Sequence, residues 1–344
     1  MRMQRWSIVL ATVGALVIAG APVGERGAAW AQQRAKLSIG IPVKPPFMSI
    51  ITPVLAQDLG YFAEEGLDVE IAGFQLGGVQ ALKAGIAESV DIADASGSEI
   101  LVAIGRGAPL KIIYSYAPKL SAVLLVQGDK VRACPDLRGK KIGIQELGGF
   151  SEIHSRAVMA SCGLTPKDVE YVTVSAPGRI PGLLAGQIDT AVVHPDQAMA
   201  GQKAKPSLRI LAKMVDIYPD FWFTGFVANE KTLAARRDVL VRAVRAMIRA
   251  NRFFYQDKER TIEIAARHSR FDKGILSPTY DFLAGNKLMA QNAGLPRHAI
   301  EFTINKMVEF GNLPADMRPT YDKAVDLSVS QEALTKVGAV SGTE

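Results

Sequence analysis

Short β-branched runs alternate with stretches of helical periodicity through the first two thirds of the chain. The predicted strands are 37–42, 69–73, 90–94, 111–116, 121–127, 141–145, 169–174, 188–193, 208–213 and 223–228. The predicted helices between them are 49–60, 77–86, 97–105, 150–162, 179–186 and 195–202. This alternation is typical of βαβ units, whose mainly parallel sheets are covered by helices on both faces.

The last third of the chain, from Asn229 onward, has helical periodicity almost throughout. Within it, Ser277 followed by Pro278 predicts the start of one helix, and Gly294 predicts its end. A helical tail has to bury its apolar faces. We therefore expect the tail to pack back onto the first group of βα units.

Two groups of βα units with a returning tail predict a two-lobed α/β protein. Residues 36–117 together with 225–335 are predicted to form lobe 1, and residues 118–224 are predicted to form lobe 2. The chain would cross between the lobes near 116–121 and 222–226. Ligands of open α/β sheets bind beyond the carboxyl ends of the strands, so the predicted binding site is a cleft between the lobes.

The N-terminus has the pattern of a secretory signal peptide. Two arginines precede an apolar run at 8–21, and a small-x-small exit follows at 29–31. A membrane anchor is the competing interpretation, but spanning a bilayer takes about 20 apolar residues. The signal peptide would direct the chain to the periplasm and would be cleaved after Ala31. Since residues 1–31 hold three Arg and one Glu, cleavage would also lower the net charge from +6 to +4.

Composition excludes several classes of protein. The 344 residues are 48% hydrophobic and 22% charged, as in a globular protein with a substantial core. Lys and Arg form no long block and no nucleic-acid-binding motif occurs, so we expect no nucleic-acid partner. The four His are scattered and no HExxH motif occurs, so we expect neither a metal site nor a cofactor. We expect the chain to be a monomer.

The sequence contains two cysteines, Cys134 and Cys162. Export would place them in an oxidising compartment, where a disulfide can persist. Cys134 precedes the predicted strand 141–145, and Cys162 ends the helix that runs back from that strand, so the two could meet. We favour a disulfide, and the alternative is two independent thiols.

Five phrases of the chain resemble, in order, those of one protein family. They are GYFAEEGLDVE at 60–70, VDIA at 90–93, GAPLK at 107–111, DLRGKKIG at 136–143 and LAGQIDTA at 184–191. The resemblance is to periplasmic solute-binding proteins of nitrate/sulfonate/taurine-type ABC importers, which are related to binders of thiamine-pyrimidine precursors. It covers roughly residues 36–335. It implies a type II periplasmic-binding-protein fold, capture of a small-molecule solute by lobe closure, and an ABC permease with its ATPase at the inner membrane as partners.

Ligand contacts in lobe 1 are expected where the first and third strands end. The candidates there are Lys44, Phe47, Ser96, Gly97 and Ser98. Lys44 could supply a counter-charge to an anion and Phe47 an apolar wall, although Lys44 could equally face solvent from its Pro-rich loop. The helix that begins after Ser96 presents free N–H groups suited to an anion. Glu99 has capping-box spacing from Ser96, which would use two of those donors.

The candidates in lobe 2 are Gly148, Gly149, Phe150, Ser151, Arg179 and His194. The turn at 148–151 permits a helix start lined by amide groups, and the resemblance implies that this turn lines the cleft. Arg179 could pair an oxyanion bidentately or be solvated. His194 stands where the resembled family usually has an apolar group. It could bond the solute or pack at the end of its strand.

These features together predict a receptor for a small organic anion of the sulfonate, taurine, nitrate or carboxylate class. Phe47, Phe74 and Phe150 near the predicted cleft also allow a ring-bearing solute, such as a thiamine-precursor pyrimidine. An exported enzyme and a ligand-sensing partner of a membrane receptor are alternatives of a different class. We expect no enzymatic activity, because Ile153 replaces the second Gly of a nucleophile elbow around Ser151 and no Walker A or Rossmann signature occurs.

Overall fold

The computed structural model describes residues 34–74 and 77–341, so the predicted signal peptide lies outside the described residues. The strands are β1 Ala35–Ile41, β2 Leu67–Gly73, β3 Ile92–Ser96, β4 Leu110–Lys119, β5 Val123–Gln127, β6 Lys141–Ile144, β7 Glu170–Thr173, β8 Thr190–Val193, β9 Leu208–Lys213 and β10 Trp222–Asn229. Each coincides with a predicted strand. β-Branched runs therefore located the strands to within a few residues.

Helices fill the intervals between strands and most of the chain after β10. They are α1 Thr52–Asp58, α2 Tyr61–Glu64, α3 Gly78–Ile86, α4 Gly97–Gly105, α5 Phe150–Ser161, α6 Arg179–Leu184, α7 Pro195–Ala204, α8 Met214–Ile217, α9 Glu230–Gln256, α10 Lys258–His268, α11 Lys273–Gly285, α12 Arg297–Glu309, α13 Tyr321–Ala324 and α14 Leu327–Val337. None of these helices is both long enough and apolar enough to span a bilayer.

The strands form two five-stranded sheets, in the orders β2-β1-β3-β10-β4 and β7-β6-β8-β5-β9. In the first sheet, Ile39 of β1 lies beside Ile71 of β2 and Ile92 of β3, which aligns buried apolar side chains across parallel neighbours. Helices flank both sheets, and the two-lobed α/β class predicted from the sequence is confirmed. We call the lobe that holds the first sheet the first lobe and the other the second lobe.

Each sheet is mainly parallel, as expected, with one antiparallel strand, β10 in the first sheet and β5 in the second. β10 is antiparallel to β3 and β4, and β5 is antiparallel to β8 and β9, whereas the remaining neighbours are parallel. Parallel neighbours need a long crossover, usually a helix. β5 instead follows β4 after residues 120–122, where the chain passes directly into the other sheet. The strands that enter from the opposite lobe are the antiparallel ones.

The chain passes between the sheets at 120–122 and again at 214–221. After the second passage, β10 completes the first sheet and α9 packs against β4. Asn251 in α9 fixes this packing, because its amide donates to the carbonyl oxygens of Tyr116 (2.7 Å) and Ala290 (2.8 Å). The helical tail therefore returns to the first lobe, as expected. The exact lobe boundaries remain a prediction.

One helix of the tail was wrongly placed by the sequence. α11 begins at Lys273, after Asp272, whose carboxylate accepts a hydrogen bond from the backbone N–H of Ile275 (3.1 Å). Pro278 lies inside this helix, and Gly294 lies beyond its end in an irregular segment. The carboxylate cap at Asp272 supplies the start that we assigned to the later Ser-Pro pair.

Helix α11 also contacts the second lobe, where it packs against α7. Lys203 of α7 forms an ion pair with Asp272 (3.1 Å), and Phe282 of α11 packs against the apolar core of the second sheet. The tail thus touches both lobes.

Cys134 and Cys162 form a disulfide, with their Cα atoms 5.3 Å apart. The bond ties the end of α5 to the turn that precedes β6. The pairing that the sequence favoured is the one in the structure.

Candidate functional site

A cavity lies between the two lobes, at the carboxyl ends of strands from both sheets. Its unfilled volume is about 420 Å³, including the part that opens to solvent. The polar residues that line it are Ser96, Glu99, Gln145, Arg179, His194 and Thr224. The other lining residues are Pro42, Val43, Phe47, Ile50, Gly77, Gly78, Phe150, Ala176 and Phe223. We call this space the inner cavity.

Aromatic rings from both lobes stack along one wall of the inner cavity. The ring centroids of Phe47 and His194 are 4.6 Å apart, and those of His194 and Phe150 are 5.0 Å apart with nearly parallel planes. Phe223 meets Phe150 edge-on at 6.1 Å. Three predicted contact residues thus come together, although Phe47 precedes His194 by well over 100 positions. The wall can stack against a planar group of a solute.

His194 is held as a neutral imidazole in this wall. Burial, together with the neighbouring Arg179 and His154, lowers the pKa of His194 well below its ordinary value. Its Nδ1 shares a hydrogen bond with the Ser49 hydroxyl (2.9 Å). Within the described residues its Nε2 forms no hydrogen bond.

Arg179 is a buried cation, only 1% exposed. Its guanidinium donates to the carbonyl oxygens of Val192 (2.5 Å) and Ala176 (3.4 Å) and to Gln145 Oε1 (3.3 Å). Among residues 34–74 and 77–341, no carboxylate forms an ion pair with it. Burial lowers the pKa of Arg179 to about 10, which leaves it protonated at neutral pH. A buried charge without a counter-ion is costly.

Glu99 is the buried carboxylate of the inner cavity. Its Oε2 accepts hydrogen bonds from the backbone N–H of Ser96 (3.0 Å) and from the Ser96 hydroxyl (2.8 Å), which forms the predicted capping box of α4. Its Oε1 accepts from the backbone N–H of Phe150 (2.8 Å), the first residue of α5 in the other lobe. Burial raises the pKa of Glu99. One carboxylate therefore serves the starts of two helices.

Two further amide groups of the turn 148–151, and the Ser151 hydroxyl, are also engaged within the protein. The N–H of Gly148 donates to Glu152 Oε2 (3.2 Å), and that of Gly149 lies 3.4 Å from the carbonyl oxygen of Glu146. The Ser151 hydroxyl accepts from the backbone N–H of Gln145 (2.9 Å). We expected this turn to receive a solute anion, and in the structure Glu99 occupies that place.

Six of the predicted contact residues do not line the inner cavity. They are Lys44, Gly97, Ser98, Gly148, Gly149 and Ser151. Lys44 Nζ donates to the carbonyl oxygen of Ile71 (2.8 Å), which directs it to the outer side of the cleft. Gly97 packs under Trp222, where a Cβ would lie 2.3 Å from the indole ring. Ser98 is buried and shares a hydrogen bond with the Ser96 hydroxyl (3.0 Å). The five that do line it are Phe47, Ser96, Phe150, Arg179 and His194.

Asp196 joins the lobes beside His194, and it is not among the contact residues predicted from the sequence. Its Oδ2 accepts from the backbone N–H of Met48 (2.9 Å), and its Oδ1 accepts from the N–H of Gln197 (2.9 Å). Burial raises the pKa of Asp196 to about 7. An acidic residue in the first turn after a strand end was the available signal for both Asp196 and Glu99.

Thr224 forms part of the floor, above a buried acid. Its Oγ1 lies 3.0 Å from Asp94 Oδ1, and the Tyr116 hydroxyl donates to Asp94 Oδ2 (2.9 Å). Burial raises the pKa of Asp94 well above its ordinary value. Within the described part of the chain no group of three or more metal-ligating side chains is found.

Comparison with known proteins fits this geometry. The sequence model of the NMT1/THI5-like family matches residues 48–261, which is more than half of the chain. The chain belongs to the NMT1/THI5-like family. The family suspected from the five sequence phrases is thereby confirmed. No curated protein matches the sequence significantly.

Solved structures share the fold of this NMT1/THI5-like chain at low identity. A protein of Bordetella bronchiseptica RB50 has a TM-score of 0.78 and 19% identity, covering 89% of this chain and 99% of its own. The alkanesulfonate-binding protein SsuA of Xanthomonas axonopodis pv. citri, bound to MOPS, has a TM-score of 0.68 and 20% identity, covering 84% and 97%. The periplasmic nitrate-binding protein NrtA of Synechocystis PCC 6803 has a TM-score of 0.74 and 16% identity, covering 88% and 89%. At these identities the likeness shows the fold of solute-binding proteins alone.

Proposed function

We propose that this chain is the extracytoplasmic receptor of an ABC importer and captures a small organic anion of the sulfonate, taurine, nitrate or carboxylate class. The observation that carries the proposal is Arg179, a buried guanidinium that lines the inner cavity without a carboxylate partner among the described residues. An oxyanion at this place would supply the counter-charge and accept paired hydrogen bonds from the planar guanidinium.

Capture would proceed by closure of the lobes around the solute. Phe47 and Ser96 line the inner cavity from the first lobe, and Phe150, Arg179 and His194 line it from the second. A solute that contacts both walls binds the closed form better than the open one. It therefore shifts the equilibrium toward closure by that difference in affinity.

Among the described residues, three hydrogen bonds cross the cleft beside the proposed solute site. They join the Phe150 N–H to Glu99 (2.8 Å), the Met48 N–H to Asp196 (2.9 Å), and the Ser49 hydroxyl to His194 (2.9 Å). The closed arrangement thus has contacts of its own, and the solute has to supply only part of the closing free energy. Binding of this kind needs no catalytic group, and we infer that the chain is not an enzyme.

The partners follow from the same proposal. After export to the periplasm and cleavage near Ala31, a monomeric receptor would deliver its solute to a permease and an ATPase at the inner membrane. The periplasmic nitrate-binding protein among the structural neighbours supports this location.

A ring-bearing solute, such as a thiamine-precursor pyrimidine, is the second candidate. The stack of Phe47, His194 and Phe150 favours it, because a planar ring can extend such a stack.

A thermal-shift screen of the chain without residues 1–31 tests both candidates, after denaturation and refolding to remove carried-over solute. The panel holds sulfonates, taurine, nitrate, aromatic carboxylates and thiamine pyrimidines. A ligand at 100 times its Kd stabilises by about 2.7 kcal/mol, which raises the Tm by roughly 5 °C. We expect anions to produce this shift and Arg179→Met to abolish it, whereas the exposed control Arg132→Met should retain it. Shifts with pyrimidines alone would favour the second candidate, and equal anion shifts in Arg179→Met would contradict the first.

A further inference from the structure

A second pocket adjoins the inner cavity on its outer side. Its unfilled volume is about 640 Å³, including the part that opens to solvent. We call it the outer chamber and define it by Pro45, Pro46, Phe47, Pro177, Ile180 and Phe271. The other residues that line it are Val43, Lys44, Gln197, Ala200 and Arg270. Val43 and Phe47 line both spaces, so the two are neighbours across a shared wall.

Phe47 forms the partition between the two spaces. Its ring stacks on His194, which faces the inner cavity, at a centroid distance of 4.6 Å. On the other side, the ring of Phe271 in the outer chamber is 6.4 Å from it. The start of α6 repeats the arrangement, because Arg179 lines the inner cavity and the next residue, Ile180, lines the outer chamber. An anion at Arg179 is thus only one side chain away from the outer chamber.

The chemistry of the outer chamber differs from that of the inner cavity. Its defining residues are three prolines, two phenylalanines and an isoleucine, which are apolar, and five of the six have rigid rings. Gln197 contributes an amide, but its Nε2 donates to the carbonyl oxygen of Ala176 (2.9 Å) and its Oε1 accepts from the backbone N–H of His194 (3.3 Å). Rigid apolar walls favour a flat apolar group, since little side-chain entropy is lost on binding.

Charge at the mouth of the outer chamber favours an anionic solute. Arg270 lines the mouth, is exposed, and forms none of the ion pairs found in the described parts of the chain. A cation at the entrance raises the local concentration of anions.

We propose that the outer chamber is a second subsite of the same cleft, and that it takes an aromatic substituent of the solute whose acidic group pairs with Arg179. The solute is then an aryl-substituted anion that passes beside Phe47. This inference rests on the proposed anion-receptor function. Burial of an aromatic group in such a chamber corresponds to an affinity gain of about tenfold or more.

Calorimetric titration with two matched series of anions tests the subsite. The sulfonates are methanesulfonate, benzenesulfonate and naphthalene-2-sulfonate, and the carboxylates are acetate, benzoate and 2-naphthoate. In whichever series binds, we expect the naphthyl compound to bind at least tenfold more tightly than the methyl compound. Ala200→Trp, which fills the outer chamber, should remove this gain and leave the Kd of the methyl compound within twofold. Ala204→Trp, at an exposed position of the same helix outside the chamber, is the control.

Phe271→Glu gives a second perturbation if Ala200→Trp lowers the Tm of the free protein. It places a negative charge in the chamber from a partly exposed position, and the aryl compounds should again lose most of their advantage. Equal Kd values for methyl and naphthyl compounds would overturn the subsite while leaving the anion receptor intact. Equal weakening of both compounds by Ala200→Trp would do the same. Failure of the unmodified protein to bind any of the six anions would overturn the subsite, whereas the receptor proposal falls only if taurine and nitrate also produce no shift in the thermal-shift screen.

Discussion

Two positively polarised groups face the cleft from the second lobe, the start of helix α5 and the guanidinium of Arg179, and they differ in what neutralises them. The backbone N–H of Phe150 at the start of α5 donates to Glu99, a carboxylate that reaches across the cleft from the first lobe. Among the residues that the structure describes, Arg179 donates only to neutral oxygens. A helix start that looks free in a sequence can be satisfied by the protein itself, whereas an unpaired buried cation remains a site for an anion.

The largest predicted effect tests whether Arg179 is the residue that pairs with the solute anion. Arg179→Met should weaken binding of the best anion of the screen by about 100-fold or more, because a buried charge pair loses one partner. Arg179→Lys keeps the charge but loses the planar donor fork, so a smaller loss of about tenfold is expected. Titration calorimetry measures both. A loss below threefold in Arg179→Met would place the anion elsewhere.

A second test concerns Asp196, the other carboxylate that accepts an amide hydrogen bond across the cleft. Burial raises its pKa to about 7, so the folded protein holds this proton at pH values where the unfolded chain has released it. The free energy of unfolding of the unmodified protein therefore falls as pH rises from about 5 toward 7. Asp196→Asn lacks the titrating group, so this contribution is absent from it.

We expect the free energy of unfolding of Asp196→Asn, measured by urea unfolding, to rise by about 2 kcal/mol relative to that of the unmodified protein between pH 5 and pH 8. The difference between the two proteins isolates Asp196 from His154, whose pKa is lowered by burial and acts in the opposite direction. A difference that stays constant with pH would mean that Asp196 keeps an ordinary pKa.

The smallest predicted effect concerns Glu99, the carboxylate that accepts the hydrogen bond from the start of α5. Glu99→Gln removes a negative charge from the inner cavity, and anion affinity at pH 8 should rise by about tenfold. The surface variant Glu64→Gln, remote from the cleft, should leave the Kd unchanged. An unaltered Kd in Glu99→Gln would show that Glu99 carries no charge opposite the solute.

Local spacing explains what the sequence predicted well. The strands follow β-branched runs, and the capping box of Ser96 and Glu99 depends only on a three-residue separation. Arg179 and His194 were found because each stands at the beginning of a helix after a strand end, where ligands of α/β sheets bind.

Long-range geometry explains the rest. The Oε1 atom of Glu99 meets the N–H of Phe150, which lies 51 positions away, and no spacing rule links the two. The direction of β5 depends on how the chain passes between lobes, not on its own residues. Lys44 belongs to the correct loop, but its Nζ bonds to the carbonyl oxygen of Ile71, an orientation that only the folded loop determines.

Helix α11 has a mechanical consequence for any opening of the cleft. Two chain passages alone would let the lobes rotate about a common hinge axis. α11 adds a third connection between the lobes, because it follows α10 in the tail yet packs on α7. Asp272, at the start of α11, also forms an ion pair with Lys203 of α7. Wide opening therefore requires α11 either to slide along α7 or to move with it. The resistance of the lobes to separation is set in part by a helix that contributes no side chain to the inner cavity.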